Sequence, residues 1–333
     1  MKALIALLAV AVLLGAVWAG VGLAGQQYLF GIVVPYVAIF VFLAGMVYRV
    51  LLWAGAPVPF RIPAVCGQQR SLPWIRRDRL DSPSSTLEVV GRMALEVLFF
   101  RSLFRNTRAG LTGTQRVVYQ SDKLLWVGAL AFHWTFLIIF LRHLRFFLEP
   151  TPWLVHFLEA FDGFFQLTVP VFLLTDGVIL IALLYLLGRR LLEPQVRYIS
   201  LPSDYLALFL MLGVVLSGIF MRYITKVDLV KAKELSLSLV TFRPVLPEGI
   251  GLPFFIHLFF VSVLFIYFPY SKLVHLGGVF LSPTRNLAND NRMRRHVNPW
   301  NPEVEVHTYA QWEDEFRDKL EASGIPLDGS ERP

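Results

Sequence analysis

Four histidines lie inside two apolar segments of this chain. His133 and His143 end the run Leu124–His143, and His257 and His275 belong to Phe254–His275. Ionisable side chains are costly in hydrocarbon, so each one there needs a partner or a task. Two imidazoles on each of two segments suit axial coordination of two six-coordinate haems, one ring on either side of each iron. One such histidine alone is as readily a hydrogen-bonded bundle residue, but four in this arrangement are poorly described that way. His156, in a loop, and His296 and His307, in a polar tail, read as surface residues.

Charged neighbours accompany the four. Arg142 and Arg145 flank His143, and Lys272 precedes His275 by one turn. Either they meet haem propionates or they snorkel to the membrane surface. Asp176 reads as the middle of an apolar run, where a carboxylate is a candidate for proton transfer or quinone contact. The alternative is a neutral carboxyl bonded to a neighbouring helix. Gly213, Gly218, Gly277 and Gly278 permit close approach of a helix or a flat macrocycle, and Phe132, Trp134 and Phe136 surround His133.

The elements that must carry these residues are membrane spans. Of 333 residues 56% are hydrophobic, and the mean hydropathy is +0.58. Runs of about 20 apolar residues cross a hydrocarbon core of about 30 Å. Six are expected, at 3–24, 28–54, 122–147, 161–189, 204–224 and 252–280. The fold class is therefore all-α: a polytopic membrane helix bundle whose last four spans form a core around the histidines. Four parts follow: an amino-terminal transmembrane hairpin (1–54), an Arg-rich loop (55–121), a histidine-bearing domain (122–281) and a polar tail (282–333). The first run also has a signal-peptide character, but it is long for one and its cleavage site is poor.

The net charge of +7 is concentrated in the 55–121 stretch, which holds ten arginines. Arginine beside spans marks the cytoplasmic side. That puts both termini in the cytoplasm of a multi-pass inner-membrane protein and argues for lipid rather than nucleic acid. The Glu-bearing 148–160 loop fits the outer side, whereas Lys226, Lys231, Lys233 and Arg243 fit it less well. Cys66 is the only cysteine, so the chain can hold neither an iron–sulfur cluster nor an internal disulfide.

With spans three and six antiparallel, His133 pairs with His275 on the cytoplasmic side and His143 with His257 on the outer side. On straight helices the spacings disagree: ten residues cover about 15 Å and eighteen about 27 Å. Pro269 is placed to bend the later segment.

The strings Val240-Thr-Phe-Arg-Pro244, Phe255-Ile-His257 and Phe268-Pro-Tyr-Ser-Lys-Leu-Val-His275 resemble the gamma subunits of respiratory nitrate reductases, as do the two histidine spacings. Within that family the amino-terminal hairpin and Arg-rich loop are most similar to the branch found with dissimilatory sulfite reductase. The resemblance implies a diheme cytochrome b with His133, His143, His257 and His275 as axial ligands of two haem b groups. It also implies exchange of electrons with menaquinone near the outer haem. Its implied partners are a cytoplasmic iron–sulfur subunit similar to heterodisulfide reductase and other membrane and periplasmic subunits. Service in a nitrate or heterodisulfide reductase complex is the alternative within the family. A transporter using Asp176, or a haem-free anchor, is the alternative outside it.

Overall fold

Two apolar runs interrupted by Gly25-Gln-Gln fold back on each other. The computed structural model describes residues 1–56, 70–111, 113, 116–163, 170–282, 284–290 and 305–328. Helix α1 (Lys2–Val17) continues through a π turn to Leu23. Gly25, at φ 66°, makes the turn that a residue with a side chain resists. The chain returns through Leu29–Val33 into α2 (Val34–Ala54).

The Arg-rich stretch was expected as loop, yet it carries elements of its own. Helix α3 (Thr86–Phe99) is capped by Ser85, whose hydroxyl accepts from the Glu88 amide. Phe100, left-handed at φ 50°, turns the chain into α4 (Arg101–Phe104). Strands β1 (Thr107–Leu111) and β2 (Val117–Ser121) pair antiparallel, Thr107 opposite Ser121. The all-α expectation is thus corrected by one small hairpin.

Beyond it run α5 (Lys123–His143), α6 (Trp153–Asp162), α7 (Leu174–Leu192), α8 (Pro194–Ile199), α9 (Pro202–Ile219) and α10 (Leu229–Val240). Helices α11 (Leu252–Tyr267) and α12 (His275–Leu281) follow, and α13 (Tyr309–Glu315) and α14 (Arg317–Ala322) make the tail.

Five helical segments are long and apolar enough to cross a membrane: Lys2–Leu23, Leu29–Ala54, Lys123–Phe146, Pro202–Thr225 and Leu252–Tyr270. The fourth expected span, 161–189, is corrected. Its first part belongs to amphipathic α6, which stops at Gly163, and 164–169 lie outside the described residues. Helix α7 begins only at Leu174, with Asp176 in its first turn and Arg189 and Arg190 in its last. Its 19 residues extend about 28 Å.

Helix α7 lies between α5 and α9. Ile179, Ala182 and Leu183 form one buried cluster with Phe132 of α5 and Tyr205 and Leu212 of α9, and Ala6 of α1 joins it. Gly128 lets α5 approach Tyr185: a methyl group there would sit 2.5 Å from the ring. A second cluster, Val17, Val21, Phe30 and Phe255, fixes the amino-terminal hairpin against α11.

The sixth expected span is corrected as well. A continuous helix over 252–280 would place His257 and His275 on one face. Instead α11 ends at Tyr267, two 3-10 turns follow, and Ser271 between them is extended (φ −116°, ψ 177°). Proline lacks the amide a continuing helix needs, and Pro269 stands at this break.

Most arginines of the 70–121 region are engaged within the chain. Asp81, almost fully buried, holds Arg101 and Arg105. Glu88 binds Arg77 at 2.8 Å. That hydrogen bond holds the Glu88 carboxyl down to about 2. Glu96 accepts from the Ser102 amide and from Arg285, tying in the start of the tail. This segment's polar side faces the protein: Arg92 is completely buried, while Leu87, Val90 and Leu98 of the same helix are exposed. Cys66 and His296 lie outside the described residues.

Candidate functional site

The four histidines meet as two pairs. His133, midway along α5, faces His275, the first residue of α12, with ring centroids 5.9 Å apart and planes at 80°. His143, the last residue of α5, faces His257 in the second turn of α11 at 6.3 Å and 19°. The break at 268–271 reconciles the two spacings. It takes His275 off the line of α11, so the eighteen-residue separation is not laid out along one helix.

Each ring is oriented through Nδ1. That of His133 bonds the Ala129 carbonyl at 2.7 Å, and that of His143 the Ile139 carbonyl at 2.7 Å. Both are carbonyls one turn back on α5. The His275 Nδ1 meets the Lys272 carbonyl at 2.8 Å. His257 reaches across to α9, to the Val214 carbonyl at 3.1 Å and the Ser217 hydroxyl at 3.0 Å. Ser217 itself donates to the Val214 carbonyl, so its oxygen accepts from the ring. A carbonyl partner requires a proton on Nδ1, which leaves the Nε2 lone pair for a metal.

The residues fit a metal held between each pair. Imidazoles on opposite sides of one ion, with bonds of about 2 Å, have centroids about 6 Å apart. Among the described residues no group of three or more His, Cys, Asp or Glu is placed to hold a metal. A pair of imidazoles therefore suits an ion that brings its other donors with it, as a macrocycle does.

The pairs differ in their surroundings. Phe100 and Phe132 meet the His133 ring edge-on at 4.9 and 5.0 Å. The indoles Trp126 and Trp134 of α5 donate to the carbonyls of Phe99 and Leu98, clamping the α3–α4 turn against α5. Beside the other pair, Gly218 makes room for His257: a methyl group there would lie 3.3 Å from the ring. Gly213 serves packing against Phe260, and Gly277 and Gly278 face Met46 and Trp53 of α2.

A buried ionic cluster adjoins His143. Arg142 donates to Asp162 at 2.5 Å and to Asp176 at 3.3 Å. Asp162 also accepts from the Thr175 amide and hydroxyl, at 2.8 and 2.6 Å. The Tyr223 hydroxyl donates to Asp176 at 2.8 Å and accepts from the Leu173 amide. Asp176 is therefore not at mid-span but at the end of α7, paired and hydrogen-bonded.

The other two cations are paired too. Arg145 bonds Glu159, and Lys272 bonds Asp204 at 2.8 Å, with Arg190 at 3.5 Å from the same carboxylate. His156 and His307 are exposed, the latter 3.3 Å from Glu315. Sequence reasoning missed Asp162, Asp204 and Arg49, although each is an ionisable residue in an expected span and carried the same signal as Asp176. Phe100, Ser217 and Tyr223 carried no such signal.

Fold and site together define a multi-pass membrane protein with two bis-imidazole positions bridging α5 to the α11–α12 segment. More narrowly, the chain belongs to the nitrate reductase gamma subunit family, whose pattern matches residues 89–296. It is 45% identical over 281 residues to the Hdr-like menaquinol oxidoreductase cytochrome b-like subunit of Archaeoglobus fulgidus, covering 82% of this chain and 84% of that protein. The Archaeoglobus profundus protein of the same name is 44% identical over 279 residues, 82% of each chain. The nitrate reductase gamma chain of Bacillus subtilis is 26% identical over 196 residues, 56% of this chain and 84% of that one.

Proposed function

We propose that this protein is a diheme cytochrome b that carries electrons across the cytoplasmic membrane between menaquinol and a cytoplasmic iron–sulfur partner. The observation that carries the reading is the matched geometry of the pairs: two facing rings at 5.9 and 6.3 Å, each bonded through Nδ1. Haem b held between each pair supplies a one-electron carrier near either side of the bilayer. The names of the Archaeoglobus relatives support menaquinol as donor and a partner resembling heterodisulfide reductase. Helix α7 is the sixth crossing, the Arg-rich side is cytoplasmic, and both termini lie there.

The chain's residues have separate tasks in this scheme. His143 and His257 hold the outer iron, and His133 and His275 the inner one. Menaquinol docks beside the outer pair and gives up its electrons and protons there. Asp176, joined to Tyr223 and Arg142, receives a proton and passes it outward. Phe100 and Phe132 exclude water from the inner ring, from which electrons leave toward the docked partner. In the reverse direction the same residues reduce quinone. Sulfur metabolism is the setting we assign, with DsrM, the membrane subunit of the dissimilatory sulfite reductase-associated complex, as the nearest functional counterpart.

A reduced-minus-oxidised spectrum of the purified protein tests the proposal. Two b-type haems per chain are expected, and His143→Ala should leave one and abolish menaquinol oxidation. A chain without haem absorbance would return the histidines to structural roles.

A further inference from the structure

Helix α2 crosses the bilayer with a cation in it, Arg49. Its Nε donates to the carbonyl of Pro269 at 2.8 Å, at the point where α11 breaks. One turn earlier Gly45 lies against the same proline: a methyl group at Gly45 would sit 2.7 Å from Pro269 Cβ and 3.3 Å from the Tyr270 hydroxyl. The proline ring is rigid, so any side chain there must push the break away. One turn later Trp53 contacts the positions of Gly277 and Gly278 at 3.6 and 3.5 Å, and Met46 reaches Gly277 at 3.6 Å. Residues 45, 49 and 53 form one stripe on α2, and this stripe follows the chain from Pro269 to Gly278, on both sides of His275.

His275 has little else to fix it. It opens α12, a helix of seven residues with none buried, and its Nδ1 bond is to the local Lys272 carbonyl. Its direction therefore depends on the path of the backbone, and α2 sets that path. We infer that Arg49 and Gly45 are positioning residues for the inner imidazole pair, and that α2 is a template for this pair and not only an anchor. The stripe lies outside residues 89–296, which match the family pattern. The inference rests on the diheme reading for its spectroscopic test only.

Three variants of the full chain test it: Arg49→Met, which keeps length and loses the donor, Arg49→Lys, which keeps a donor, and Gly45→Ala. Ferric low-spin signals and midpoint potentials of the two haems are assigned beforehand with His143→Ala and His133→Ala proteins. Arg49→Met and Gly45→Ala should lower haem from two per chain toward one and shift or remove only the signal of the His133–His275 site. Arg49→Lys should retain most of it. Unchanged signals in Arg49→Met, or equal loss at both sites, would overturn the inference.

A second arm needs no haem. In a Cys66→Ser background, Met46→Cys with Gly277→Cys should join through a short thiol cross-linker in native membranes. Adding Arg49→Met should lower the yield several-fold, and an undiminished yield would overturn the inference. If the parent protein holds no haem, the diheme reading fails while this arm still judges the positioning role.

Discussion

The two ends of the bundle hold similar ring pairs by different means. At the His143–His257 end both rings sit on regular helices. His143 is set by a carbonyl one turn back, and His257 by α9 through Val214 and Ser217. The charges beside them are buried and paired with each other. At the His133–His275 end one ring follows a helix break, and elements far away in sequence complete the site: Arg49 on α2 and Phe100 at the α3–α4 turn. One end is specified locally by helix period, the other by what packs against an irregular segment. The proposed quinone chemistry falls at the first end and the proposed partner contact at the second.

The largest expected effect separates the ends directly. His257→Ala and His275→Ala should each halve the haem content, but only His257→Ala should abolish menaquinol-driven reduction of the haem that remains. Substoichiometric dithionite should still reduce the surviving haem in both proteins. If the two variants were equally unable to accept electrons from menaquinol, the assignment of ends would be wrong.

The next effect concerns the ionic cluster. Asp162→Asn leaves Arg142, 7% exposed, without its closest countercharge. Removing one partner of a buried pair costs about 3–5 kcal/mol, and because Asp176 remains the loss should fall near about 3 kcal/mol. It should appear as a lower unfolding temperature in detergent. Arg49→Lys, at the other end, should show almost no such fall.

Ser217→Ala removes one of the two acceptors for the His257 Nδ1. A loss of about 1 kcal/mol is expected. The potential of that haem alone should rise, because a less basic ligand stabilises the oxidised iron less. Redox titration of both haems checks this.

The smallest effect belongs to the Arg-rich segment. Glu88 is held down to about 2 from an ordinary 4.5, first by its hydrogen bond with Arg77 and further by the Ser84 amide, against the cost of burial. A depressed carboxylate stabilises the fold fully above its unfolded pKa and loses that contribution as pH falls through the folded value. Amide exchange in residues 84–99 should therefore stay slow at neutral pH and accelerate between about 4.5 and about 2. The Glu88→Gln protein should lack this step.

Much of this was legible from residue types and period. Apolar runs marked the helices because hydrocarbon requires long uncharged segments, and five of them are present. The histidine positions were conspicuous for the same reason, and antiparallel order was enough to anticipate which faced which. The chain pattern misplaced α7, because α6 and its buried Asp162 read as a continuation of the same apolar run. It also read 55–121 as loop, because the polar face of α3 is turned inward and mimics a solvated stretch.

By itself, then, the sequence determined that this is a membrane bundle with four imidazoles in it, through hydropathy and the price of ionisable groups in lipid. Only the tertiary structure decided how those imidazoles come within 6.3 and 5.9 Å of each other. Helix period carries no information about a break. Where the chain goes after Pro269 depends on Arg49, Gly45 and Trp53, more than two hundred residues earlier. The state of Asp176 likewise depends on Arg142 and Tyr223, which only packing brings to it.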